Sequence, residues 1–108
     1  MADYEITKGD WGFEVVDVLE DRDGTPVSLA DASQVKFQMR MVFGTTLKVD
    51  AVARKDSNQG TNPGKVYYKW AQGDTDTAGL YQAEWRVTFT DNSVRTFPDG
   101  GFSVEVLP

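Results

Sequence analysis

The chain has 108 residues with 17 acidic against 11 basic side chains, a net charge of −6, and neither histidine nor cysteine. That balance excludes a binder that works by neutralising nucleic-acid phosphates or by adhering to an anionic membrane. The missing residue types exclude Ser-His-Asp and Cys-His catalysis and imidazole- or thiolate-held zinc, and they leave a fold held together by packing alone.

In chain order, Asp3 to Thr7 is short and polar enough to serve as an arm that pairs with a sheet edge. Phe13 to Leu19 is rich in β-branched residues and predicts a strand. Asp21-Arg22-Asp23-Gly24 followed by Pro26 is turn chemistry, with Gly24 free to adopt a positive φ. Ser28 to Gln34 has room for one helical turn, the nearest approach to a helix anywhere in the chain. Val35, Phe37, Met39 and Met41 alternate with Lys36, Gln38 and Arg40, which predicts a strand with the first set inward. Lys48 to Arg54 is a weaker strand with Val49, Ala51 and Ala53 inward. The stretch from Lys55 to Lys65, with Ser57, Asn58, Gly60, Asn62, Pro63 and Gly64, is the longest loop and the one expected to be mobile. Val66, Tyr68 and Trp70 predict the inward side of a further strand. From Leu80 to Thr90 the alternation is cleanest, with Tyr81, Ala83, Trp85, Val87 and Phe89 inward. Asp91-Asn92-Ser93 has hairpin spacing, and Pro98 to Gly101 interrupts the pattern before a last strand on Phe102, Val104 and Val106.

Short strands with turns about every ten residues predict an all-β fold, an immunoglobulin-like antiparallel β-sandwich of about seven strands. Residues 1–108 are read as one domain. No run approaches the ~20 apolar residues of a membrane span, and the acidic N-terminal residues lack the pattern of a secretory leader, so synthesis in a cytoplasm is expected.

Few residues carry chemistry. Asp21 and Asp23 open like a calcium loop, but the EF-hand positions that need glycine and glutamate are Pro26 and Ala32. They stand as weak Ca²⁺ candidates beside the simpler reading that Asp side chains cap a turn. No catalytic residue, resident metal or cofactor is expected, and the acids sit mostly in turns and on wet strand faces. Trp11, in Lys8-Gly9-Asp10-Trp11-Gly12, and Tyr67, on the polar phase of its strand, are the aromatics outside the inward pattern. With Tyr4 and Ile6 on the arm and Asn58 and Asn62 in the long loop, they are the candidate protein contacts.

Asp76-Thr77-Ala78-Gly79-Leu80-Tyr81-Gln82-Ala83 resembles the start of strand F in immunoglobulin domains, with Tyr81 as the tyrosine corner and Ala83 where a disulfide cysteine would stand. A longer pattern runs through Asp23-Gly24-Thr25-Pro26-Val27, Val35 to Arg40, Val49-Asp50-Ala51, Gly64 to Trp70, Gly73 to Glu84 and Asp91 to Pro98. Together these resemble immunoglobulin-like virion domains of tailed bacteriophages, in particular the N-terminal domain of baseplate upper proteins. The resemblance implies a non-catalytic structural protein of the virion. It would attach to tail, baseplate or neck as an adaptor, with other virion proteins or copies of itself as partners and with neither nucleic acid nor membrane. Capsid decoration and a host-surface carbohydrate-binding or adhesion module are the alternatives.

Overall fold

The computed structural model describes residues 2–108, the side chains of Asp99 and Gly100 apart. Seven strands follow one another along the chain: β1 (Tyr4–Thr7), β2 (Glu14–Val18), β3 (Ala32–Met41), β4 (Leu47–Lys55), β5 (Lys65–Lys69), β6 (Gly79–Phe89) and β7 (Val94–Leu107). Hydrogen bonding orders them β1-β7-β6-β3-β4-β5-β2. The order bends at β4: Val49, Ala51 and Ala53 face β3 partners, whereas Arg54 and Lys55 pair with Tyr67 and Val66 of β5. The result is the immunoglobulin-like β-sandwich, antiparallel except for the parallel pair β1–β7.

The two layers close on the alternating residues. Phe37 of β3 stacks on Tyr68 of β5 with centroids 4.7 Å apart and meets Trp70 and Trp85 edge-on at 5.4 and 5.1 Å. Each such pair adds about 0.5–1.5 kcal/mol beyond the area it buries. Val35, Met39, Val49, Val66, Val87, Val104 and Val106 fill the space around these rings. The tyrosine corner forms as expected: Tyr81 is buried and its hydroxyl donates to the Thr77 carbonyl at 2.6 Å.

Four local expectations change. Ser28 to Gln34 makes no helical turn. The Ala32 amide donates to the Leu29 carbonyl in a tight turn, and β3 begins at once because β6 supplies partners from Ala32 onward. Pro98 to Gly101 does not end a strand, since β7 continues from Val94 to Leu107. Phe97 pairs with Trp85 and Phe102 with Ala83, so the intervening residues bulge opposite Glu84 alone. The bulge needs Gly101, whose φ is +80° and where an added Cβ would sit 2.9 Å from the Ala83 carbonyl oxygen. The Phe97–Pro98 peptide bond is cis. Met41 keeps the inward phase opposite buried Tyr81 but is exposed, because it is the last residue of β3 and lies at the end of the sandwich. Finally, the Lys55–Lys65 connection is tied down. Gln59 is buried, its Oε1 accepts the Leu29 and Gly64 amides at 2.9 Å each, and its Nε2 donates to the Asp56 carbonyl at 2.9 Å.

Candidate functional site

The expected contact residues scatter. Ile6 is a correction: it is buried, because β1 pairs within the chain against Val104 to Leu107 and turns Ile6 into the core. Tyr4 is half-buried against Trp70, whose indole N–H donates to the Tyr4 hydroxyl at 3.4 Å. Asn58 and Asn62 shape their own loop, the Asn58 Oδ1 accepting the Thr61 amide at 3.1 Å and the Asn58 carbonyl accepting the Asn62 amide at 2.8 Å. Tyr67 lies under the Arg54 guanidinium, 3.8 Å from its ring centroid, and its hydroxyl donates to Asp56 at 2.6 Å. That bond holds the Asp56 carboxyl below the usual carboxylate range. Trp11 is open to solvent, 54% exposed.

The acidic pairs do not converge on a cation. Asp21 is held by Arg95, and Asp23 accepts the Thr25 amide at 3.0 Å. Asp74 accepts the Tyr68 hydroxyl at 2.5 Å and the Ala71 amide at 2.9 Å. Burial, reinforced by that hydrogen bond, pushes the Tyr68 hydroxyl far above its ordinary value. Among the described residues no group of three or more Asp or Glu is placed to hold a metal ion.

The topology assembles a surface that the sequence reading missed. The β1–β2, β3–β4 and β5–β6 connections share one end of the sandwich, since β1 ends beside Leu107, β6 starts beside Val106 and Met41 of β3 faces Tyr81. Thr75 links two of them, its hydroxyl donating to the Asp10 carbonyl at 2.8 Å and accepting the Gly9 amide at 3.1 Å. A Lys48–Asp76 ion pair joins β4 to the same group. Trp11, Phe13, Met41, Phe43 and Leu80 are all exposed at this end. Phe43 is the extreme case, 103% exposed with a φ of +69°. A non-glycine residue in that region costs roughly 1–2 kcal/mol, and an exposed ring returns nothing to the fold for it. The signal available in the sequence was Val42-Phe43-Gly44, an apolar pair in a connection where polar turn residues are the norm.

No family model matches the chain, and no curated protein does. Among solved structures, CopC from Methylosinus trichosporium OB3b matches with a TM-score of 0.53 and 14% identity, over 100% of this chain and 86% of that one. At that identity the likeness carries the fold. The expectation of a virion protein docking on tail, baseplate or neck, with capsid decoration or carbohydrate binding as alternatives, is corrected here: the chain aligns along its whole length with CopC, which points away from a phage structural role. The physical reason is visible in the residues that carried the resemblance. Tyr81 at its corner, Gly24 in its turn and the alternation around Trp85 are what any sandwich of this kind requires, so they report the fold and not the particle.

Proposed function

We propose that the chain is a non-catalytic binding domain that engages another protein through the end of the sandwich bearing Trp11, Met41 and Phe43. The observation that carries this reading is Phe43, an aromatic ring fully in water on a backbone of positive φ. Large aromatics exposed on one end of a domain are the usual anchors of protein contacts. A catalytic role has little to draw on: the chain has no histidine or cysteine, and Asp23, Asp56 and Asp74 are engaged in turn and hydroxyl contacts. The likeness to CopC adds no ligand to this reading.

The test is quantitative cross-linking of the wild-type chain and of a Trp11→Ser, Phe43→Ser double variant in extracts of the source cell. The wild type should cross-link reproducibly to a defined partner that the variant loses, with thermal melting unchanged. A partner set untouched by the double substitution would remove the proposal.

A further inference from the structure

A second feature lies on the side of the sandwich, away from Phe43, and does not depend on the reading above. The strand order begins with β1 and ends with β2. On one side of β2 lies β5; among the described residues no strand pairs with its other side. β1 covers β7 only over Val104 to Leu107, so the first part of β7, Val94 to Pro98, is likewise open on the side away from β6. These two free edges border a single groove of about 570 Å³, lined by residues 17–22 of one and 95–98 of the other. The Asp21–Arg95 ion pair spans it. On the inner side the Asp17 carboxylate reaches across the layers to the indole N–H of Trp85 at 3.0 Å.

The polarity of the β2 edge follows from alternation. The Leu19 amide donates to the Gly64 carbonyl on the β5 side at 2.8 Å, so the Val18 amide, one residue earlier, faces the open side. It is capped there by its own neighbour, the Asp17 Oδ1 at 2.8 Å. That cap is a bond between neighbours on the edge itself, so the carbonyl of an added strand takes its place at the Val18 amide without breaking any pairing between strands. The line of β1 points the same way. β1 runs parallel to β7 from Tyr4 opposite Val104, and its line carried backward past Tyr4 follows β7 toward Pro98 and into the groove. Four residues of β7 at roughly 3.3 Å each give a track of about 13 Å, enough for a short extended segment. The lining carries three carboxylates, Asp17, Glu20 and Asp21, against the guanidinium groups of Arg22 and Arg95; the Asp21–Arg95 pair cancels one of each, and the surplus is negative. On a chain of net charge −6 this favours a basic occupant.

We propose that this groove takes one extended, basic segment of a partner protein, which adds a strand along β2 with its backbone bonded to Val16 and Val18. Its apolar side chains enter toward Leu19 and Phe97, and its lysines or arginines meet Glu20.

The probe is an acetylated, amidated hexapeptide of alternating lysine and valine, titrated into the isotope-labelled chain and followed by amide shifts and hydrogen exchange. The expected result is shifts confined to residues 16–21 and 95–97, with exchange at Val18 slowed. Val18→Pro removes the outward donor while leaving the Leu19–Gly64 bond, and should weaken the peptide by about tenfold or more. Should that variant not fold, Glu20→Lys serves: it should weaken the lysine peptide several-fold and strengthen the matching glutamate peptide. No shift at millimolar peptide, shifts centred on Trp11 and Phe43, or affinity unchanged in either variant would overturn the proposal. Slowed exchange at Val18 arising from self-association alone would also overturn it, since the occupant would then be a second copy.

Discussion

At the end of the sandwich where β4 passes to β5, long polar side chains turn inward and are consumed by the backbone. Gln59 holds two amides and a carbonyl, and the Lys55 ammonium donates to the Leu29, Ala30 and Ala32 carbonyls at 2.8, 3.3 and 2.9 Å. At the opposite end Thr75 ties two connections together, yet Trp11 and Phe43 stand in water above it. One end turns polar groups into internal structure, and the other ties its loops through Thr75, Asp74 and the Lys48–Asp76 pair while leaving apolar surface uncovered. A side chain that spends its hydrogen bonds on buried backbone stabilises the fold and has nothing left for a partner. A ring left out of the core contributes nothing to stability and is available for binding.

The sharpest test of that contrast is Gly64→Ala at the closed end. Its φ is +78° and an added Cβ would lie 2.5 Å from the Leu19 carbonyl oxygen. Strain and overlap together should cost about 3 kcal/mol, read as a lowered midpoint in urea. Next is Gln59→Ala, which strands the Leu29 and Gly64 amides and should cost about 2 kcal/mol in the same assay. Thr75→Val at the open end keeps the shape and removes one hydroxyl, and a loss of about 1 kcal/mol is expected. If Thr75→Val proves as costly as Gln59→Ala, the two ends are equally built and the contrast fails. Phe43→Gly should change stability in the other direction, raising it by about 0.5 kcal/mol as the strained φ is relieved, while partner cross-linking falls.

The smallest expected effect is in pH. The Tyr67 hydroxyl holds Asp56 below its ordinary value at one end, and Lys48 does the same for Asp76 at the other. A depressed carboxyl contributes stability that is present above the ordinary value of about 4 and is lost as pH falls through the folded value. Melting temperature should therefore drop below about pH 4, and Tyr67→Phe and Lys48→Met should each flatten part of that drop. Asp76 is exposed and Asp56 half-buried, and an acid profile unchanged by either substitution would assign the drop to other groups.

Much of this architecture was legible in the residues because a sheet buried on one face imposes period two. Trp85, Phe37, Tyr68 and Val49 all lie where alternation puts them, and Tyr81 closes its corner. Alternation reports which way a side chain points only while the ladder is regular. It failed at Pro98 to Gly101, where a bulge carries extra residues of turn-forming type through a strand, and it does not report exposure at a strand's end, where Met41 keeps its phase opposite Tyr81 and still lies in water. The candidate contacts fared worse. Asn58 and Asn62 bond within their own loop and Ile6 packs into the core, so their place in a loop or arm did not report availability to a partner.

The amino-acid sequence by itself determined the class of fold, the inward sets of β3, β5 and β6, and the absence of imidazole and thiol chemistry, because these depend on residue type and on spacing along one strand. Tertiary structure alone decided which strands remain edges, which connections meet at one end, and that Asp17 and Asp21, distant in sequence from Arg95, stand with it in one groove between two strand edges. Those facts depend on partners that are distant in the chain, and a hydrogen-bonding edge is defined by what does not come to pair with it, which no local pattern can encode.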